Sequence, residues 1–161
     1  MREEAPKLAA ISGLGAAFFA ACQAALRFNA DAIRLRVSDL RIIVASFAIA
    51  ALGFALVSVQ AGFAVSVAGF ALIGIGTGPI VPCGFALAAR QSAAGPAVGL
   101  ASASLFSALT RLPAPLATGA IAQALSLPIA FGAFALALVI AAAVTGVFAF
   151  VSGAAVSPRN V

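Results

Sequence analysis

Histidine, tyrosine and tryptophan are absent from this chain, and its single lysine is Lys7. The four carboxylates are confined to Glu3 and Glu4 near the start and to Asp31 and Asp39. The usual groups for proton transfer and for activating a nucleophile are therefore missing from the apolar body of the chain, and the reading is that this is not an enzyme. Cys22 and Cys83 each lie inside an apolar run, with no CxxC pair. Without histidine they form no metal-ligand cluster of the usual kind, so no metal or other cofactor is expected. Both read as small apolar residues. Charge is scarce as well: 8% of residues are charged, against about 25% in soluble domains. A globule of this size has too little polar surface to cover itself. The absence of tryptophan and tyrosine also removes the common interfacial aromatic belt, and thirteen phenylalanines supply the aromatic bulk.

What is present is hydrocarbon. The 161 residues are 64% hydrophobic, with mean hydropathy +1.20. A helix needs about 20 apolar residues to cross about 30 Å of hydrocarbon. Five stretches reach that length, at about 8–27, 42–60, 62–89, 97–122 and 129–151. The expected fold is all-α: one polytopic transmembrane bundle over 1–161, with about five spanning helices and no soluble domain. The third stretch is long enough at 1.5 Å per residue to tilt, break or leave the lipid. The fourth is interrupted by Arg111, Pro113 and Pro115. Glu3 and Glu4 spoil the basic start that a secretory signal peptide would have.

The densest polar segment is 27–41, RFNADAIRLRVSDLR, which holds four of the nine Lys/Arg residues and both aspartates. Between two apolar runs it reads as a short water-side loop. Alternating sides along five spans place Arg27, Arg34, Arg36, Arg41, Arg90 and Arg159 on one face, and Arg2 and Lys7 on the other. The positive-inside rule then puts the polar segment and the C-terminus in the cytoplasm and the N-terminus outside. A basic pI of about 11.2 fits this pattern better than nucleic-acid binding, which is not expected. The expected location is the cell's inner (plasma) membrane.

Several residues carry candidate roles. The third stretch contains GIGTGPIVPCG, 74–84. Gly74 and Gly78 form a GxxxG pair that admits a close neighbour. Pro79 and Pro82 each remove a backbone donor. With Gly76 they mark a bend, either fixed for packing or flexing as a pathway opens. There is no GK[ST] to make the glycines a phosphate loop. Gly95, Gly99, Ala103 and Ser107, four apart, suit helix contact. Arg111 is the one charge deep in an apolar run and costs about 2.5–3.5 kcal/mol or more there. It reads as a pathway residue attracting an anionic group, or as a side chain snorkelling near Pro113. Gln23, one turn before Arg27, reads as a pathway residue or a packing contact.

The segment 27–41 and its flanks resemble the major facilitator superfamily of transporters. Its loop pattern is similar to GR-x-x-GD-x-L-x-x-R-x-G-x-x-R, with Arg27, Asp31, Arg34, Arg36 and Arg41 in compatible order and Ile33 near the Leu position. IIVASFAIAALGFAL, GFALIGIGTGPIVPCGFALAAR and PLATGAIA then resemble the family's ninth, tenth and eleventh helices. Leu26, Ala30 and Ser38 stand where the family favours glycine, and Arg111 where it favours an apolar or small residue. The resemblance covers about 2–151 and corresponds to helices eight to twelve, half of such a fold.

What the resemblance implies is movement of a small, unspecified solute by alternating access. Arg27, Asp31, Arg34, Arg36 and Arg41 would form a cytoplasmic gating loop; the plainer alternative is a topology anchor. The partners implied are the lipid bilayer, a small-molecule substrate, and a first-half bundle or a second copy of the chain. The alternative function is a small non-transporting membrane scaffold or an inactive transporter fragment.

Overall fold

A computed structural model describes residues 5–124 and 126–151; the side chains of 5–12, 31, 114 and 122 lie outside the described set. The described residues form seven helices in order: α1 (Ala5–Arg34), α2 (Asp39–Val59), α3 (Phe63–Thr77), α4 (Ile80–Gln91), α5 (Pro96–Arg111), α6 (Pro113–Ala124) and α7 (Leu127–Val151). Among the described residues there is no strand. The chain is a helical bundle. Among the described residues four stretches are long and apolar enough to cross a membrane: Asp39–Val59, Phe63–Gln91, Pro96–Ile121 and Leu127–Val151. They match four of the expected spans within a few residues. The fifth expectation, 8–27, lies inside α1.

Proline explains why seven helices make fewer rods. α3 and α4 are one apolar stretch interrupted at Gly78 and Pro79, whose backbones stay helical at φ −54, ψ −54 and φ −77, ψ −17. The hydrogen bonds Gly78 N–H to Gly74 O and Cys83 N–H to Pro79 O, both 3.1 Å, keep the i to i−4 register on either side. The ladder simply has no donor at 79 or 82. α5 and α6 meet in the same way at Leu112, which remains helical at φ −68, ψ −52 just before Pro113.

The polar segment is a shorter loop than its composition predicts. α1 continues through Arg27 to Arg34, and α2 already opens at Asp39. Only 35–38 connects them, tightened by Arg36 and Val37 N–H groups that share Ile33 O at 3.0 Å. The charges are therefore carried mostly by helix ends. The physical reason is length: α1 runs 30 residues, about 45 Å, and so continues past the apolar run at 8–27 into the charged turns. The link at 60–62 is a turn, as expected. Gln60 ends α2 in the left-handed region at φ 53, and Gly62 takes φ 113 before α3.

α2 is the centre. It packs against α3 and α7 and, less extensively, α4; α1 lies on α3, α4 on α5, and α6 on α7. Small residues set these distances. A methyl group placed on Gly53 would come 2.7 Å from Gly69 O, and one on Gly76 would come 2.5 Å from Ala50 N. Gly74 lies against the Phe19 backbone of α1, and Gly99 against Ala88 of α4. Phe54, Phe70, Phe131 and Phe134 tie α2, α3 and α7 together, with ring centroids 5.7 to 6.2 Å apart. By contrast Leu105, Phe106, Leu116, Phe148 and Phe150 are exposed. In water they would form a large apolar patch; hydrocarbon solvates them without cost.

Candidate functional site

Two polar assemblies lie on the interrupted α3/α4 rod, one on either side of its break. The first is at the α1–α2 connection. Asp39, in the first turn of α2, is only 6% exposed. Its Oδ1 accepts a hydrogen bond from Arg34 Nε at 2.7 Å. Its Oδ2 lies 3.0 Å from Arg90 Nη2 at the end of α4, an ion pair whose angle falls outside hydrogen-bonding geometry. One carboxylate thus joins three helices. The two arms differ in strength. The Arg34 side chain is 21% exposed and its bond is short and charge-assisted, whereas Arg90 is 67% exposed. Water screens the Arg90 arm, so it contributes little and is easily broken. The Arg34 arm stabilises more, because removing it strands a largely buried charge.

Beneath this cluster is a small apolar core. Cys83, fully buried, packs with Ile42 and Ile43, and Ile33, Phe47 and Leu87 close around them. Cys83 and Cys22 are both free thiols. The carboxylate therefore sits where α2 and α4 meet over a dry contact.

The second assembly is Gln23 on α1 and Thr77 on α3. Gln23 Nε2 donates to Thr77 Oγ1 at 3.2 Å, and Thr77 Oγ1 donates to Ile73 O at 2.8 Å. Thr77 is the residue before the Gly78–Pro79 break. A methyl group on Gly78 would lie 3.0 Å from Leu26 Cβ and 3.1 Å from Gln23 O. The break is held against α1 at the place where its own backbone ladder is interrupted.

The predicted residues divide accordingly. Arg34 is drawn into the Asp39 cluster, and Gln23 is joined to the helix break. Arg27, Arg36 and Arg41 are exposed, on α1, in the connection and in the first turn of α2. Asp31 is in α1, and its side chain lies outside the described set. Gly74, Gly76 and Gly78 are packing contacts as well as neighbours of the bend. The interruption itself falls at Pro79, while Pro82 sits in the first turn of α4. Arg111 ends α5 and is exposed beside the α5/α6 interruption.

Sequence reasoning missed Asp39, Arg90 and Thr77. Asp39 had a local signal: it follows Ser38 at a helix start and carries the acid favoured in a first turn. Arg90 lies 51 positions further on, a separation that no local pattern bridges. The chain matches no known protein family, no curated protein and no solved structure.

Proposed function

We propose that the chain is a five-span membrane protein that moves a small solute by alternating access, as a transporter of the major facilitator type or as half of one. The observation that carries the reading is a hinge lying between two polar contacts. α4 continues α3 through Gly78–Pro79, where the backbone ladder lacks donors. Its far end is tied to α2 through the solvent-screened Arg90–Asp39 pair and through the apolar contact of Cys83 and Leu87 with Ile42, Ile43 and Phe47. α4 packs chiefly with α5, and Gly99 brings those two into close contact. α4 and α5 thus move together about the hinge when Arg90 releases. Asp39 remains held by Arg34, so the α1–α2 connection keeps its shape. A two-state element biased by a weak bond is what alternating access requires.

α1 supplies the fifth span in this reading. The arginines around 27–41 and Arg90 mark the cytoplasmic side, with the N-terminus outside. Arg111, at the α5/α6 interruption, attracts an anionic part of the solute.

The test is counterflow into vesicles containing the purified chain, alone and with a candidate first-half partner. Uptake above empty vesicles that falls on Pro79→Ala supports the reading; stable insertion without uptake in either form overturns it. A second reading, a non-transporting scaffold, draws on open small-residue positions. A methyl group on Gly119, Gly132 or Gly146 would touch nothing within 4 Å, which leaves room for another helix. That reading predicts stable insertion, no uptake and capture of a helical partner.

A further inference from the structure

We propose that Arg41 anchors a two-chain anionic phospholipid on the outer face of the bundle, an inference that rests on the membrane reading above. Two apolar grooves run along α2, and both are lined by Arg41 and Ala45. One, about 350 Å³, passes Val44, Ala48, Gly146 and Ala149 toward α7. The other, about 250 Å³, passes Leu26, Ile49, Ile75 and Pro79 toward α1 and α3. Arg41, Ala45, Ala48 and Ile49 are exposed, so both grooves open outward rather than enclosing a solute.

The geometry selects the occupant. Two apolar channels diverging from one guanidinium match two acyl chains diverging from one phosphate. A single helix would fill one groove and leave the other empty, and a free anion would use neither. Charge agrees with this. A third depression, containing Arg36, shares Ile33 and Val37 with the α1-side groove. A second cation therefore stands on the same rim, and basic rims between helices on the charged side of a membrane bind anionic headgroups. The α1-side groove also touches Pro79, so a chain lodged there lies against the hinge.

Native mass spectrometry of the full chain, extracted in mild detergent, tests this with dioleoyl phosphatidylglycerol and dioleoyl phosphatidylcholine as probes. Wild type should retain phosphatidylglycerol about fivefold better, the factor for one guanidinium near a charged headgroup. Arg41→Gln should abolish that preference, and Arg41→Lys should keep most of it. Gly146→Leu projects into open groove space and should reduce retention of both lipids. Lysophosphatidylglycerol, with one chain, should be held more weakly than the two-chain form, and soluble glycerol phosphate should not compete. Equal retention of the two lipids by wild type would overturn the proposal. So would full retention in Gly146→Leu, competition by glycerol phosphate, or a dimer that expels lipid from this face. A chain that stays in the supernatant without detergent would instead refute the membrane reading itself, and this proposal with it.

Discussion

Asp39→Asn is the sharpest perturbation of the cluster, because it removes the charge and keeps the shape. Two interactions change. The Arg34 bond is short, charge-assisted and largely buried, and such bonds are worth about 1.5–3 kcal/mol. The Arg90 pair is mostly exposed and, discounted for solvent, is worth at most about 1 kcal/mol. Together the loss is about 2–4 kcal/mol, or about 30- to 700-fold in the equilibrium for an opening that frees the start of α2 from both α1 and α4. Cys83 reports that opening, because it is fully buried under the cluster and unpaired. The assay is the rate of alkylation of Cys83 by N-ethylmaleimide in membranes, in a Cys22→Ala background. Arg90→Gln should raise the rate by no more than about fivefold, and Asp39→Asn by at least about 30-fold. If Asp39→Asn reacts at the unmodified rate, the carboxylate does not hold this interface closed. If Arg90→Gln matches Asp39→Asn, the exposed arm dominates and the ranking of the two arms is wrong.

Other outcomes follow from the packing. Gly76→Val forces a side chain against the α2 backbone at Ala50 and Ser46 and should cost about 1–3 kcal/mol, visible as a lower Tm in detergent; Gly132→Ala, with nothing within 4 Å of the added methyl, should leave Tm unchanged. Gln23→Leu breaks the link to Thr77 and should cost about 0.6 kcal/mol, the average for such bonds between membrane helices, while altering uptake more than Tm if the link restrains the hinge. Arg111→Leu should lower uptake of anionic solutes relative to neutral ones; an unchanged preference removes Arg111 from the pathway. Leu35→Cys, at an exposed position of the α1–α2 connection, should react with impermeant thiol reagents from the cytoplasmic side of inverted vesicles and not from outside intact cells.

Legibility differed by the range of the interaction involved. The apolar stretches at 42–60, 62–89, 97–122 and 129–151 were readable one residue at a time, because transfer into hydrocarbon is nearly additive along the chain. The interruptions at Pro79 and Pro113 were equally local, since proline lacks its donor in any setting. The polar segment was read as a loop because its charges were counted; their helical geometry depends on α1 continuing past the apolar run at 8–27. Gly74 and Gly78 were recognised as contact residues, although not which helix each would meet, and Gly76 was read only as part of the bend.

Composition and spacing by themselves determined that this chain is helical, that it holds stretches long and apolar enough to cross a membrane, and where its rods break. Only the tertiary structure decided that Asp39 is buried, that Arg90 reaches it from 51 residues away, and that Gln23 holds Thr77 beside the Pro79 interruption. The physical reason is that hydrophobic burial and backbone donors are properties of each residue and its near neighbours. An ion pair between helix ends exists only once packing has set the distance between them.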